Sequence, residues 1–283
     1  STPPWYAYLR IAEGCDNHCA YCVIPSLRGK YRSRPMNELL DEAAELASAG
    51  VKELIVIAQD ITRYGTDLNG EHQLAKLLKE LCKLDFHWIR LHYLYPDEIT
   101  EEMLSKYQCI YIEGYLLVNE PLVRSTMEKA KKLGLKVALD LSNFNIVNAF
   151  KGMLEDIIPK YVDILFSNES EAEAFTGQKA AEAVHTLSEL VEVSLVTLGK
   201  EGALIGSHGQ FYSVPAEGGK PVDTTGAGDN FAAGFLYGQS IGASLVQSAR
   251  IGSMLAGYVI DVVGPEIPYD KWEQIKLKVK GIL

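Results

Sequence analysis

The chain has 283 residues, enough for two average domains or one large α/β domain, with 47% hydrophobic, 23% charged and 9% aromatic residues. That composition excludes a disordered chain, which cannot bury enough apolar surface to offset its ordering entropy. No run of about 18 apolar residues is present to span a bilayer, and a net charge of −10 argues against sequence-independent nucleic-acid binding, which needs a broad basic surface.

Ser1 to Trp5 lack the charged and apolar regions of a signal peptide. Five cysteines without a secretory signal point to a reducing, cytoplasmic setting. The first predicted strand is Tyr6 to Gly14, where apolar positions alternate. The next loop holds Cys15, Cys19 and Cys22 in C-x3-C-x2-C spacing. Three thiolates on one loop can wrap three irons of a 4Fe–4S cluster and leave the fourth iron open. A zinc knuckle with His18 nearby, or plain buried thiols, fits the same spacing. Arg28, Lys30, Arg32 and Arg34 make the one basic loop of an acidic chain, suited to an anionic cluster or simply solvated. A helix is predicted over Met36 to Ala49 with Gly50 as its cap, then strands over Glu53 to Ala58 and His87 to Tyr93.

A cysteine loop between the first strand and first helix of a βα series resembles the radical S-adenosylmethionine (SAM) enzymes. Ala7 to Gly14, Tyr21, Ile24-Pro25, Arg28-Gly29, Arg32 to Pro35, Ala58 to Asp60 and Arg63 to Gly65 sharpen the resemblance to methylthiotransferases of the RimO group, over about residues 2–104. It implies a 4Fe–4S cluster on Cys15, Cys19 and Cys22, and SAM on the open iron. Reductive cleavage then makes a 5′-deoxyadenosyl radical. Complete members carry one domain before this core and a β-barrel domain after it. Their barrel core has six strand–helix repeats, of which about three are recognisable here, and the family pattern stops near Leu104.

From about Ser105 the pattern changes. Strands are predicted over Cys109 to Leu117, Lys136 to Leu141 and Asp163 to Ser167, with a helix over Glu120 to Leu133. The segment Asp223-Thr-Thr225-Gly226-Ala227-Gly228-Asp229 then opens an apolar, small-residue helix. Small residues there let backbone N–H groups face a phosphate at a helix N-terminus, and Asp229 stands in the first turn to take a proton from an attacking hydroxyl. A plain glycine-rich helix cap has the same letters in its Gly-Ala-Gly core. The full signature, with Asn168-x-x-Glu171 and Thr197-x-Gly199-x-x-Gly202, resembles the PfkB, or ribokinase-like, sugar and nucleoside kinases over about residues 105–283. The resemblance implies ATP–Mg2+ as donor, Asp229 as base and an anion hole at Gly226, Ala227 and Gly228, with Thr225 beside it. It further implies that Asn168 and Glu171 organise magnesium, that Thr197, Gly199 and Gly202 lie beside the nucleotide, and that Gly252 to Gly264 walls the adenine. Taken alone, the Thr197–Gly202 turn also fits an ordinary hairpin. Complete kinases begin with a half that supplies further strands, a lid and acceptor-binding motifs, which are not recognisable here.

The expected fold class is α/β, a mostly parallel sheet flanked by helices in three α/β/α layers of ribokinase-like or Rossmann-like kind, with an N-terminal fragment derived from half a TIM barrel. Residues 1–104 and 105–283 are expected to co-fold as one domain around a continuous sheet, with the junction within residues 100–108. The function expected is that of an engineered chimera, folded but without full native activity, that keeps residual ATP or phosphate binding. Alternatives are an ATP-dependent sugar or nucleoside kinase with Asp229 as base, a methylthiotransferase-like protein that binds a 4Fe–4S cluster and SAM, or a protein without catalysis. The expected partner is a small-molecule nucleotide at most, with no nucleic acid and no membrane. Cys82 and Cys109 read as small buried hydrophobes, His87 and His92 as edge or core residues, and Asp140 as a strand-end residue with either a turn role or a place near the site.

Overall fold

Apolar residues at alternate positions build a parallel three-stranded sheet from β1 (Tyr6–Arg10), β4 (Glu53–Ile57) and β5 (Trp88–Leu91) in the order β1-β4-β5. The computed structural model describes residues 4–16, 23–93, 101–218 and 221–283. Its contacts divide into two units, Ser1–Lys106 and Tyr107–Leu283. In the first, the short strands β2 (Ala12–Glu13) and β3 (Arg32–Ser33) pair antiparallel, with α1 (Ile24–Arg28) between them. Helices α2 (Met36–Ser48) and α4 (Leu74–Leu81) turn Leu39, Ala43, Leu74, Leu77 and Leu81 onto Leu9, Leu54 and Val56 of the sheet. Each such leucine contributes roughly 1.5–3 kcal/mol of burial. The one-turn helices α3 (Thr66–Asn69) and α5 (Glu101–Leu104) complete this unit. Cys82 is exposed rather than buried. It follows Leu81 by one residue, about 100° round from the stripe that α4 buries.

The second unit holds a six-stranded sheet in the order β11-β10-β9-β8-β7-β6. Strands β6 (Cys109–Glu113), β7 (Lys136–Asp140), β8 (Ile164–Asn168) and β9 (Val193–Thr197) run parallel, while β10 (Ala203–Ser207) and β11 (Gln210–Val214) add an antiparallel edge. Val137, Ala138 and Leu139 of β7 are all fully buried, as befits a parallel strand covered on both faces. On one face, Phe231, Phe235 and Ala249 from α11 (Ala227–Ser240) and α12 (Leu245–Val259) meet Ala138, Phe166 and Leu195. The opposite face is covered by α6 (Glu120–Lys132), α9 (Glu169–Thr176) and α10 (Ala180–Ser188), where Ser194 of β9 donates to the Val184 carbonyl of α10. Helices α7 (Phe144–Ala149), α8 (Lys151–Tyr161) and α13 (Trp272–Ile282) complete the unit. The fold class is thus α/β, with a mostly parallel sheet flanked by helices.

The strand expected over Cys109 to Leu117 stops at Glu113, and Gly114–Val118 forms a 3-10 turn. Gly114 lies against the end of β7, where an added Cβ would lie 2.7 Å from the Leu141 carbonyl oxygen, and its N–H leaves the ladder to donate to Ser142 Oγ (2.7 Å). The continuous sheet across the junction is also not formed among the described residues. β5 pairs with β4, and β6 pairs with β7 from Cys109↔Lys136 to Glu113↔Asp140, in two separate sheets. The first sheet finds its apolar cover on its own helices α2 and α4, so a second sheet is not required to shield it.

Helices α11 and α12 approach through small residues. An added Cβ on Gly234 would lie 2.7 Å from the Gly252 Cα and 2.8 Å from its nitrogen. Gly152 in α8 has nothing within 4 Å of its Cβ position. Gly234→Ala is expected to destabilise the chain by about 1–3 kcal/mol and Gly152→Ala to stabilise it by about 0.5–1 kcal/mol, read as opposite shifts in thermal unfolding.

Candidate active site

The carboxyl ends of β6 to β9 and the N-terminus of α11 enclose a cleft of about 500 Å³. Such strand ends are where open α/β sheets bind ligands. At the end of β8, Asn168 and Glu171 form a reciprocal capping box. Glu171 N–H donates to Asn168 Oδ1 (3.0 Å), while Asn168 N–H and Nδ2 donate to the two Glu171 oxygens (2.8 and 2.7 Å). At the end of β9, Thr197 Oγ1 donates to the Ser167 carbonyl (3.3 Å) and Leu198 N–H to that of Gly202 (2.8 Å). Gly202 has φ +97° and stands where a Cβ would fall 1.9 Å from the Val214 oxygen.

The start of α11 is held from behind. Asp223 accepts from the backbone N–H of Thr225 (2.9 Å) and of Gly264 (2.9 Å), and these donors, Gly264 first, hold its carboxyl below the usual range. Gly226 then takes the left-handed conformation, φ +78°, with its Cβ position 2.8 Å from Pro265 Cβ. Asn230 Nδ2 donates to the Gly226 carbonyl (2.9 Å). Ala227, Gly228 and Asp229 form the first turn of α11, and the Cβ position of Gly228 meets nothing within 4 Å. Open space in front of a helix N-terminus is what a phosphate requires.

The cleft brings together Asn168, Glu171, Thr197, Gly199 and Gly226 to Asp229. Thr225 and Gly202 do not line it: the first ties the turn to Asp223 and the second closes the β9–β10 turn. A further acidic group was only partly visible in the sequence. Asp140 both lines the cleft and makes a turn, accepting from the Ser142 N–H (2.7 Å) and from the Tyr111 hydroxyl (3.3 Å). Ser142 Oγ donates to Glu113 (2.9 Å) and accepts from the Gly114 N–H (2.7 Å). Burial, reinforced by the charges of Glu171 and Glu113, pushes Asp140 up to about 7 against the Ser142 and Tyr111 hydrogen bonds. Burial also raises Glu171. Glu113, Ser142 and Tyr111 escaped the sequence reading, and the available signal was their position at or next to strand carboxyl ends.

The oxygen donors fit magnesium, a hard cation. Among the described residues no three His, Cys, Asp or Glu side chains gather closely enough to cage a metal. Magnesium at such a site keeps waters and shares phosphate oxygens, and Glu171, with both oxygens engaged by Asn168, is suited to act through water. In the first unit, Cys15 is buried and its N–H donates to the Gly29 carbonyl (3.2 Å). Cys19 and Cys22 lie outside the described residues. The basic loop is partly neutralised by Arg28–Glu13 (2.8 Å) and Arg34–Glu42 (2.7 Å).

The family model for pfkB family carbohydrate kinases matches residues 86–272, about two thirds of the chain. The chain belongs to the pfkB family. The Radical SAM superfamily model matches residues 9–109. The chain is 43% identical over 181 residues to the ribosomal protein uS12 methylthiotransferase RimO of Clostridioides difficile, covering 58% of this chain and 41% of that protein. It is 57% identical over 107 residues to the RimO of Caldanaerobacter subterraneus, covering 38% and 24%. The chain thus spans about two fifths or less of the length of these relatives. Among solved structures it resembles a probable sugar kinase from Rhizobium etli (TM-score 0.64, 23% identity, 92% of this chain and 87% of that one). It also resembles an adenosine kinase from Sinorhizobium meliloti (TM-score 0.63, 22% identity, 96% and 90%). Both likenesses show the fold of the pfkB family. No helix among the described residues is long and apolar enough to cross a membrane.

The raised Asp140 has a consequence for stability. An unfolded aspartate titrates near 4, whereas here the carboxyl titrates at about 7. Between these values the folded chain holds a proton that the unfolded chain has lost, so stability falls as pH rises from about 4 to about 7 and then levels. Asp140→Asn removes this contribution. Its Tm relative to the parent chain should rise across that window and be highest above pH 7, and parallel Tm profiles would contradict the assignment.

Proposed function

We propose that the chain is an engineered chimera, with a radical SAM methylthiotransferase fragment (residues 1–104) joined to the C-terminal half of a pfkB-type kinase (residues 105–283). The kinase part binds ATP–Mg2+, and neither part keeps its parent's full activity. The observation that carries this reading is the meeting of the Asn168–Glu171 box, the Thr197–Gly199 turn and the α11 N-terminus in one cleft. The amides of Gly226, Gly228 and Ala227, the last donating to the Thr224 carbonyl (3.2 Å) until a phosphate replaces it, stabilise the transferred phosphoryl group, and Asp229 takes the proton of an attacking hydroxyl. Asn168 and Glu171 orient magnesium through water, and Thr197, Gly199 and Gly202 shape the nucleotide side. Magnesium neutralises phosphate charge when bound. The nucleotide is the only partner of the kinase part in this reading.

The internal junction supports a chimera. The two family matches overlap over residues 86–109, without the linker that separates complete domains in a bifunctional chain. After β5 the next described strand already belongs to the kinase sheet. Loss of turnover follows from incomplete orientation of two substrates, which contributes much of the rate in phosphoryl transfer. In the first part Cys15, Cys19 and Cys22 would hold the 4Fe–4S cluster, whose open iron would take SAM, and methylthiolation is absent because the barrel is not completed.

Calorimetry should show ATP binding that depends on Mg2+. Glu171→Gln should weaken it by about tenfold, the usual cost of an outer-shell change at a metal. Asp229→Ala should leave it within about threefold while removing any remaining phosphoryl transfer. No ATP binding, or sugar or nucleoside turnover at an ordinary kinase rate of roughly 1–100 s⁻¹, would contradict the proposal. Anaerobic iron–sulfide reconstitution should load an oxygen-sensitive cluster that the triple substitution of Cys15, Cys19 and Cys22 to Ala abolishes. Unchanged iron in that variant would remove the cluster assignment.

A further inference from the structure

We infer that Asn230 is a positioning residue for phosphate. Its side-chain amide is a fork that holds the turn at Gly226 and the C-terminal loop at Pro265 as one unit. The inference deepens the kinase reading above and rests on it. Asn230 stands one residue beyond Asp229, as the fourth residue of α11.

A side-chain amide nitrogen has two hydrogens to give, and both are used here. Asn230 Nδ2 donates to the Gly226 carbonyl oxygen (2.9 Å) and to that of Pro265 (3.4 Å). The Gly226 oxygen also accepts the Asn230 backbone N–H (2.9 Å). Two donors on one oxygen fix the plane of the peptide that joins Gly226 to Ala227. The loop closes on the same turn, since the Cβ position of Gly226 lies 2.8 Å from Pro265 Cβ. Asp223, which precedes the turn, grips the loop through the Gly264 N–H, and Asn230 grips it from the helix that follows.

The direction of these bonds separates this arrangement from an ordinary helix start. A helix N-terminus has a surplus of N–H donors, which a Ser, Thr, Asp or Asn side chain usually satisfies by accepting from them. Here the N-cap is Gly226, and no side chain caps the turn. The side chain that folds back onto the turn brings further donors and satisfies carbonyls instead. The positive end of the helix is therefore left for a ligand. A start built for stability alone would gain from an acceptor at this place. Gly228 and Asp229 are exposed and border the cleft, so a phosphate reaches the turn directly. Donors fixed in advance need no reorganisation when the charge arrives. Without the fork, part of the phosphate binding energy goes into re-forming the turn.

The test is calorimetry of the full chain with ATP and with ADP, both with Mg2+, together with thermal unfolding. Asn230→Ala should weaken ATP by about fivefold or more, below the roughly hundredfold that a displaced group can cost. The loss for ADP, which lacks the transferred phosphoryl group, should be at least about threefold smaller. A merely structural role would weaken both alike. Asn230→Asp keeps the shape but gives no hydrogens, and should weaken ATP at least as much as Asn230→Ala. Its thermal stability should nonetheless be no lower than that of Asn230→Ala, because the helix dipole favours an acid in the first turn. Equal losses for ATP and ADP, ATP binding indifferent to Asn230→Ala, or binding preserved in Asn230→Asp would overturn the inference. A parent chain that binds neither nucleotide overturns the kinase reading separately. Amide exchange of the ligand-free chain then decides the fork: faster exchange over residues 224–228 and 263–265 in Asn230→Ala supports it, and unchanged exchange contradicts it.

Discussion

The carboxylate of Asp223 is the constraint on which the second unit's site depends. Its two oxygens take N–H groups from Thr225 and Gly264, segments far apart in the chain. The charge shortens and strengthens both bonds. With the C-terminal turn pinned, Pro265 closes on Gly226, which only a residue without Cβ can occupy at that separation and at positive φ. Asn230 then ties Gly226 from inside α11. The direction of the first helical turn, and hence of its N–H groups and of Asp229, follows from this chain of contacts.

Opposite in charge to that helix N-terminus stands the acidic group formed by Glu113, Asp140 and Glu171. Its members are spaced by tight local bonds through Ser142 and Asn168 rather than by countercharges. Burial, with a smaller contribution from the neighbouring carboxylates, raises Asp140 and Glu171 and costs stability in the absence of a cation. A cleft that is positive at one wall and negative at another suits a ligand that carries both phosphate and metal. The same strain gives the protein a pH dependence that belongs to the site and not to the fold as a whole.

Much of this architecture was legible in the residues. Buried strands such as Lys136–Asp140 and Ile164–Asn168 announce themselves as short apolar runs, and the Asp223 to Asp229 signature marks a helix start whatever its surroundings. What stayed hidden depends on partners distant in sequence. Beyond Glu113 the Gly114 N–H leaves the ladder for Ser142 Oγ, a partner 28 residues away. The exposure of Cys82 depends on one helical step past a leucine stripe. Ser142 and Tyr111 have no motif of their own and join the site because β6 and β7 lie in register. The separation into two sheets was also invisible, because each run of βα units is compatible with either pairing until the helices that cover it are seen. The Cys15 to Cys22 spacing remains a sequence observation, since only Cys15 belongs to the described residues.

The proposed nucleotide recognition resides in the second unit, at the turn that Asp223 holds and at the Asn168–Glu171 and Thr197–Gly202 turns beside it. Hydrogen–deuterium exchange of the full chain with and without ATP–Mg2+ tests it most directly. Slowed exchange in peptides spanning residues 168–171, 197–202 and 223–230, with peptides across residues 6–91 unchanged, is the predicted result. No slowing at those turns, or protection confined to the first unit, would contradict it.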